Sequence, residues 1–334
     1  MKVTVIQEAI IQPDLTKEEL SSYWIKLIEI PGVELEIKYP SGYPEPEELH
    51  ELIGDSDVVF GIWINDKVIN EEFLSHHPNL KYIATLGHGF GQFDVEMTRR
   101  LGITITNTIY GAQTIAEYAW AMLMEICHHV SQHSVTYKNT DWTKIENQMD
   151  YGRVQTPQIE LYGKTCGIFG LGAIGYAFAR MAYGFGMNVI SYSRHKKEGS
   201  KYDFIRQVDF DTMLKESDVI SIHAPFTTET ADTFNKEAFD KMKDGVILIN
   251  TARGGLIVEE DLQAALDSGK IFGAGLDVMR NEPPLGDNSL FHTDKTLITA
   301  HIAWLTKESR IRACTMAIDN FKAYLAGKPV SVIN

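Results

Sequence analysis

Gly163-Lys164-Thr165-Cys166-Gly167-Ile168-Phe169-Gly170-Leu171-Gly172-Ala173-Ile174-Gly175, continued by Met187-Asn188-Val189-Ile190-Ser191-Tyr192-Ser193-Arg194, is the stretch that decides the fold. Thr165 to Phe169 is a short apolar run that reads as a strand and enters Gly170, Gly172 and Gly175. Beyond Ala173 the apolar spacing becomes helical through Ala177, Ala179 and Met181, and Asn188 to Tyr192 reads as a second strand. Three glycines at this spacing carry little weight alone, but between two strands and at the start of a helix they form a dinucleotide fingerprint. Gly170 permits the tight turn, Gly172 lets backbone approach a pyrophosphate at the helix N-terminus, and Gly175 lets helix and strand pack closely. Ser193 stands where the fingerprint calls for a residue that reads the adenosine ribose.

The rest of the chain sets bounds on the reading. Its 334 residues suggest two domains at about 150 residues each. A net charge of −14 argues against a nucleic-acid partner or an anionic membrane, since both need a basic face. Cys127, Cys166 and Cys314 are scattered without metal-ligand or disulfide-framework spacing, so no metal is expected and a reducing, cytoplasmic setting is. The first residues, Met1 to Glu8, read as a strand rather than a signal peptide, and no apolar run approaches the roughly 18 residues of a membrane span.

Outward from the fingerprint, strands alternate with helices in both directions, which predicts an α/β protein with parallel sheets. N-terminal to it, strands are expected at Val3–Ile6, Val33–Ile37, Val58–Ile62, Leu80–Leu86 and Ile103–Asn107, with helices near 17–28, 46–52 and 94–101. A long apolar helix follows from Ile115 to about Val130. Glu125, His128 and His129 share one face of it, which an ordinary helix surface explains better than a metal site. Residues 134–157 are polar and read as an irregular excursion over the surface or onto a partner subunit. C-terminal to the fingerprint, strands are expected at Val219–His223, Val246–Asn250, Phe272–Leu276 and Leu297–Ala300, with helices at 210–215, 236–242 and 259–266.

Charged residues gather just past these strand ends. Arg253 follows the strand ending at Asn250, Glu282 the one ending at Leu276, and His301 the last. In parallel sheets, ligands bind at the carboxyl ends of strands, so three such groups on the edge that carries the glycine loop make a candidate active site. Gly87-His88-Gly89, after the strand at Leu80–Leu86, is a second glycine-rich loop at a strand end.

These residues resemble the D-2-hydroxyacid dehydrogenase family, and most closely its hydroxypyruvate reductase and glycerate dehydrogenase members. The resemblance runs through Leu86-Gly87-His88-Gly89, Gly111 to Tyr118, the fingerprint, Asn250-Thr251-Ala252-Arg253-Gly254-Gly255, Gly275-Leu276-Asp277-Val278, Glu282-Pro283 and His301-Ile302-Ala303-Trp304. It implies two Rossmann-like domains: a doubly wound cofactor domain, residues 107–299, inserted into a smaller flavodoxin-like substrate domain, residues 1–106 and 300–334, with the active site in the cleft. It further implies a homodimer whose arm is the helix from Ile115 and the excursion after it.

By the same resemblance Arg253, Glu282 and His301 are catalytic, and Gly87, His88, Gly89, Arg253 and Trp304 meet the substrate. The cofactor contacts it implies are Thr114, Gly170, Leu171, Gly172, Ala173, Ile174, Gly175, Ser193, Arg194, His223, Pro225, Thr251, Ala252, Asp277 and His301. Two positions depart from the family pattern. Ser193, followed by Arg194, His195, Lys196 and Lys197, replaces the acidic residue of NAD-dependent relatives, and Ala300 replaces the usual proline before the histidine. The first change favours NADPH, because a carboxylate that would repel a 2′-phosphate is missing and Arg194 can pair with one, although NADH use remains open.

The expected chemistry is reduction of a small 2-keto acid, hydroxypyruvate or glyoxylate, to the 2-hydroxy acid. Arg253 would hold the carboxylate, backbone N–H groups of the Gly87–Gly89 loop would help at the ketone oxygen, and His301 would donate the proton, stabilised as imidazolium by Glu282. Trp304 would wall the pocket and offer its indole N–H to a hydroxymethyl group. Two other readings share the residues: a phosphoglycerate dehydrogenase-like enzyme, whose longer forms carry a C-terminal regulatory domain, and a corepressor-like NAD(H)-sensing binding protein.

Overall fold

The computed structural model of the protein describes residues 1–7, 14–40, 44–61, 70–87, 94–144, 156–284 and 286–334. The chain folds as two compact units, one of residues 1–111 and 305–334, the other of residues 112–304.

In the first unit, strands β1 (Lys2–Ile6), β2 (Glu34–Lys38), β3 (Val58–Gly61), β4 (Tyr82–Thr85) and β5 (Thr104–Thr106) form a parallel sheet in the order β2-β1-β3-β4-β5, the flavodoxin-like order. The inner strands β3 and β4 are buried along their whole length. Helices α1 (Lys17–Trp24), α2 (Pro46–Ile53), α3 (Glu71–Ser75) and α4 (Val95–Arg100) connect them. Sequence chemistry places their starts. Thr16, Asn70 and Asp94 accept the N–H of Glu19, Phe73 and Met97, and acidic residues fill the first turns.

The C-terminal helix Lys307–Leu325 closes this unit, laying Phe321 against Phe60 and Tyr82 at ring-centroid separations of 5.5 and 5.1 Å. Trp24, Phe60, Tyr82 and Phe321 are fully buried, and each such side chain contributes roughly 1.5–3 kcal/mol by leaving water. The chain end returns to β5, where Val332 bridges Thr106 and the Asn334 side chain accepts the Ile105 N–H at 2.9 Å.

The second unit holds seven parallel strands: β6 (Thr165–Phe169), β7 (Asn188–Tyr192), β8 (Ile205–Gln207), β9 (Val219–Ile222), β10 (Val246–Asn250), β11 (Ile271–Leu276) and β12 (Thr296–Ile298). Their order is β12-β11-β10-β9-β6-β7-β8, so the winding reverses between β6 and β9. That reversal is the switch point of a doubly wound sheet, beside the glycine loop. Helices α5 (Ala112–His128), α7 (Ala173–Gly184), α8 (Phe210–Glu216), α9 (Lys236–Lys241) and α10 (Glu259–Asp267) cover the sheet, with α6 (Val130–Asn139) between α5 and β6. Two separate cores lie on its two faces, one around Phe169, Phe234 and Leu248, the other around Leu123, Phe178 and Ile249.

The α/β class, the parallel sheets and most elements stand as the sequence implies. One expectation needs correction, and one strand has no counterpart in the sequence reading. Residues 134–139, read as irregular, are helical: His129 adopts a left-handed conformation (φ 48°), ends α5, and the chain re-enters a helix as far as Asn139. That helix buries no side chain, so it has no apolar stripe to read. Strand β8 also escaped notice, because only Ile205 of its three residues is buried. The remainder of the excursion, residues 145–155, lies outside the described residues. No helix among the described residues is long and apolar enough to cross a membrane.

Candidate active site

The register of the second sheet aligns its strand ends. Phe169 pairs with Ile222, Ile222 with Asn250, Asn250 with Leu276, and Leu276 with Ile298. The next residue on each strand therefore falls on one edge: Gly170, His223, Thr251, Asp277 and Thr299. Backbone bonds continue the ladder into this row, from His223 N to Phe169 O at 2.8 Å, Asp277 N to Asn250 O at 2.9 Å and Thr299 N to Leu276 O at 2.9 Å.

At the switch point Gly170 has φ 98°, and a Cβ there would meet the backbone N of Ala224 at 2.6 Å. A Cβ on Gly175 would lie 2.2 Å from Gly170 O, so this glycine sets how closely α7 approaches the loop. Gly172 differs, since nothing among the described residues lies within 4 Å of its Cβ position. It is the N-cap of α7 and has no side-chain capping bond, which leaves the first-turn N–H groups of Ala173, Ile174 and Gly175 without intrahelical acceptors. Leu171 is buried, and its N–H donates to Ser193 Oγ at 2.7 Å, so the serine ties the end of β7 to the glycine loop. Arg194 is exposed and its Nη1 lies 2.7 Å from Glu229 Oε2.

The Arg253 turn is built by Asn250, which is fully buried. Its Oδ1 accepts the Ala252 N–H at 3.0 Å and its Nδ2 donates to Arg253 O at 2.9 Å, an Asx-type turn that pins the backbone on both sides of the arginine. Gly254 lets this turn lie on the next loop, because a Cβ there would sit 2.0 Å from the Met279 carbonyl carbon. The guanidinium donates to Ala252 O through Nη1 at 2.7 Å. Burial lowers its pKa and the neighbouring Glu282 charge raises it, the net being a decrease from a value so high that the group stays cationic at neutral pH.

His301 and Glu282 meet directly, with Nδ1 2.7 Å from Oε2. Glu282 Oε1 also accepts the Met279 N–H at 3.1 Å. Burial pushes the Glu282 carboxyl up, but the His301 hydrogen bond and charge, the Met279 N–H and Arg253 outweigh it and hold the group below its ordinary value. His301 has a left-handed backbone (φ 55°) that β-carbon sterics disfavour. Asp277 holds it there. The Asp277 carbonyl accepts the His301 N–H at 2.7 Å, and its carboxylate accepts the N–H groups of Ile302 and Ala303, each at 2.9 Å, and the Thr299 hydroxyl at 2.6 Å. Burial raises the Asp277 pKa, against the pull of those bonds.

The structure thus brings Arg253, Glu282 and His301 together on one edge of the second unit. Trp304 lies three residues beyond, half-buried, and its indole N–H donates to His301 O at 2.9 Å. The N–H expected to meet a substrate substituent therefore braces the histidine loop instead. Among the expected cofactor residues, Thr114 is buried in the first turn of α5, Ala252 is half-buried, and Pro225 is exposed and accepts the Thr230 hydroxyl at 2.8 Å. Gly87 belongs to the first unit, where its N–H donates to Thr85 Oγ1 at 3.2 Å, in place of the free donor expected. His88 and Gly89 lie outside the described residues. Sequence reasoning assigned no role to Asn250 or Thr299. An asparagine at a strand end before a turn is a readable signal for the first; the threonine carried none.

A dinucleotide fits this edge on three observations made among the described residues: the open space over Gly172, the uncapped start of α7, and two buried polar atoms without partners on adjacent strand ends, His223 Nδ1 and Thr251 Oγ1. Burial pushes the His223 pKa down to about 3, so its ring is neutral and one nitrogen is an acceptor.

Comparison with known proteins agrees. Residues 120–303 match the family model described as D-isomer specific 2-hydroxyacid dehydrogenase, NAD binding domain. A hydroxypyruvate reductase of Blautia hydrogenotrophica is 40% identical over 289 residues, 86% of this chain and 88% of that protein. A glycerate dehydrogenase of Methylorubrum extorquens is 33% identical over 309 residues, 89% of this chain and 94% of that one. Among solved structures, an acyclic imino acid reductase in complex with NADPH and D-Arg is similar over 100% of both chains, with a TM-score of 0.83 and 28% identity. The glycine loop, the strand-end row and these matches establish that the chain belongs to the D-isomer specific 2-hydroxyacid dehydrogenase family and is a nicotinamide-dependent oxidoreductase acting on 2-hydroxy acids.

Proposed function

We propose that the protein reduces hydroxypyruvate to D-glycerate, with glyoxylate a slower second substrate. The observation that carries the chemistry is the 2.7 Å contact between His301 Nδ1 and Glu282 Oε2 beside the cationic Arg253. When bound, the reduced nicotinamide supplies the hydride. Arg253 holds the substrate carboxylate through charge-assisted hydrogen bonds and orients the ketone. His301, with Nδ1 engaged by Glu282, delivers a proton from Nε2 to the ketone oxygen as it gains charge, and Glu282 stabilises the imidazolium beforehand. Asn250, Asp277 and Thr299 keep the two groups in place without touching substrate.

The choice of acid rests on the named relatives and on Trp304, whose rigid indole would limit side-chain volume near the reacting carbon. We assign the cofactor role to the second unit and the substrate-domain role to the first, and read NADPH as favoured through Arg194 with NADH accepted. A homodimer joined through α5 and α6, in the cytoplasm, completes the reading; the three buried free thiols suit a reducing compartment.

The test is catalytic efficiency on hydroxypyruvate, glyoxylate, pyruvate and a branched 2-keto acid, with NADH and NADPH. Hydroxypyruvate should rank first, and Trp304→Ala should flatten the ranking. Preference of the native enzyme for the branched acid sinks the assignment, as does an unchanged ranking in the variant.

A further inference from the structure

Arg194 is the first cation past the end of β7, next to the serine at the ribose-reading position, and it is already paired. Its Nη1 lies 2.7 Å from Glu229 Oε2, with both side chains about 70% exposed (71% and 69%). Neither partner is there by drift of the backbone. The segment bearing Arg194 is stitched to β8 by a reciprocal pair of bonds, Lys197 N to Gln207 Oε1 and Gln207 Nε2 to Lys197 O, both 2.7 Å. Glu229 sits inside a turn that fixes itself: the Thr227 N–H and Thr230 Oγ1 meet at 2.8 Å, Thr230 Oγ1 donates to Pro225 O at 2.8 Å, and the Ala231 N–H reaches Thr227 O at 2.9 Å. This turn leaves the sheet from β9 through His223, on the far side of the switch point from Arg194. The pair therefore spans the carboxyl edge beside the glycine loop, linking the two halves between which the fingerprint places the dinucleotide.

We infer that Glu229 is a specificity-determining residue of the cofactor site: it is the resident counter-ion of Arg194 and sets the penalty on binding a 2′-phosphorylated dinucleotide. The inference rests on the dinucleotide reading of this edge and goes beyond it by naming the opposing charge. For a 2′-phosphate to use Arg194, it must displace or share the guanidinium with a carboxylate of its own sign. The phosphate then gains a bidentate donor and loses part of that gain to repulsion from Glu229. A ribose 2′-hydroxyl carries no charge and does not meet this competition.

Removing the carboxylate should therefore strengthen binding of the 2′-phosphorylated ligand only. The probes are adenosine 2′,5′-bisphosphate and adenosine 5′-monophosphate, followed by NADPH and NADH, titrated by calorimetry into the full chain and into Glu229→Gln, Arg194→Gln and the double variant. For an exposed pair the expected effect of Glu229→Gln is about three- to fivefold tighter binding of the 2′-phosphorylated probes, with the 2′-hydroxyl probes serving as reference. The gain should shrink at high ionic strength, where the charges are screened, and should shrink again when Arg194 is also replaced, because the competition for its guanidinium is then gone. An affinity ratio that stays within twofold of native in Glu229→Gln overturns the inference, and so does a gain retained in full without Arg194. If the native chain binds neither dinucleotide, the cofactor reading itself falls, an outcome separate from an unchanged ratio. An unaltered melting temperature of Glu229→Gln excludes unfolding as the cause of either result.

Discussion

On the proposed mechanism His301 and Glu282 divide one task between them, and separate substitutions expose the division. His301→Ala removes the proposed proton donor and leaves the glycine loop intact, so turnover should fall by about 10²–10⁴-fold while the dinucleotide still binds. Single-turnover rates with a binding titration check this, and near-native turnover would assign the acid elsewhere. Glu282→Gln keeps the shape and removes the carboxylate that Nδ1 of His301 meets at 2.7 Å, so turnover should fall while the dinucleotide still binds. The same carboxylate has a stability signature. Its pKa is held below the ordinary carboxylate value in the folded protein, so its contribution is complete above the unfolded value of about 4.5 and drains away as pH falls through the lower folded one. Chemical denaturation of native and variant should give a difference that is flat through neutral pH and closes only under acid conditions. A difference that grows on acidification would contradict the sign.

Individual elements carry the glycines that make the site possible, and the two kinds of glycine predict opposite outcomes. At Gly254 a methyl group meets the Met279 backbone at 2.0 Å. Gly254→Ala should push the Arg253 turn off the loop that carries Glu282, costing about 1–3 kcal/mol of stability and most of the activity. At Gly172 the same methyl meets nothing within 4 Å among the described residues. Gly172→Ala should leave the melting temperature within a degree or two and weaken dinucleotide binding at least tenfold, since only a bound pyrophosphate needs that space. Equal loss of stability in both variants would remove the distinction between packing and ligand clearance. Helix α6 shows the limit of element-level reading: its ten residues, Val130–Asn139, bury nothing, so neither periodicity nor composition marks it.

For the whole molecule, α6 bears on assembly. Val130, Val135 and Tyr137 are each more than half exposed, a cost in water that burial against a second copy would relieve. Sedimentation should therefore give twice the 37.6 kDa chain mass, and Val135→Glu should shift it towards the monomer. A native monomer at micromolar concentration refutes the dimer. At this scale too the boundary between sequence and fold is visible. By itself the sequence determined the parallel α/β class, the fingerprint with its three glycines, and most strand positions, because those are periodic or local: burial on both faces writes near-continuous apolar runs, and a left-handed turn demands Gly170 whatever surrounds it. Arg253, Glu282 and His301 were legible as polar residues past strand ends for the same reason. Tertiary structure alone decided what holds them. Register set the row from Gly170 to Thr299, and only that row puts the Asp277 carboxylate on the backbone of Ile302 and Ala303 and Glu229 on Arg194. Such contacts join residues 25, 26 and 35 positions apart, across strand ends whose order no local pattern encodes, so the chain had to fold before they existed.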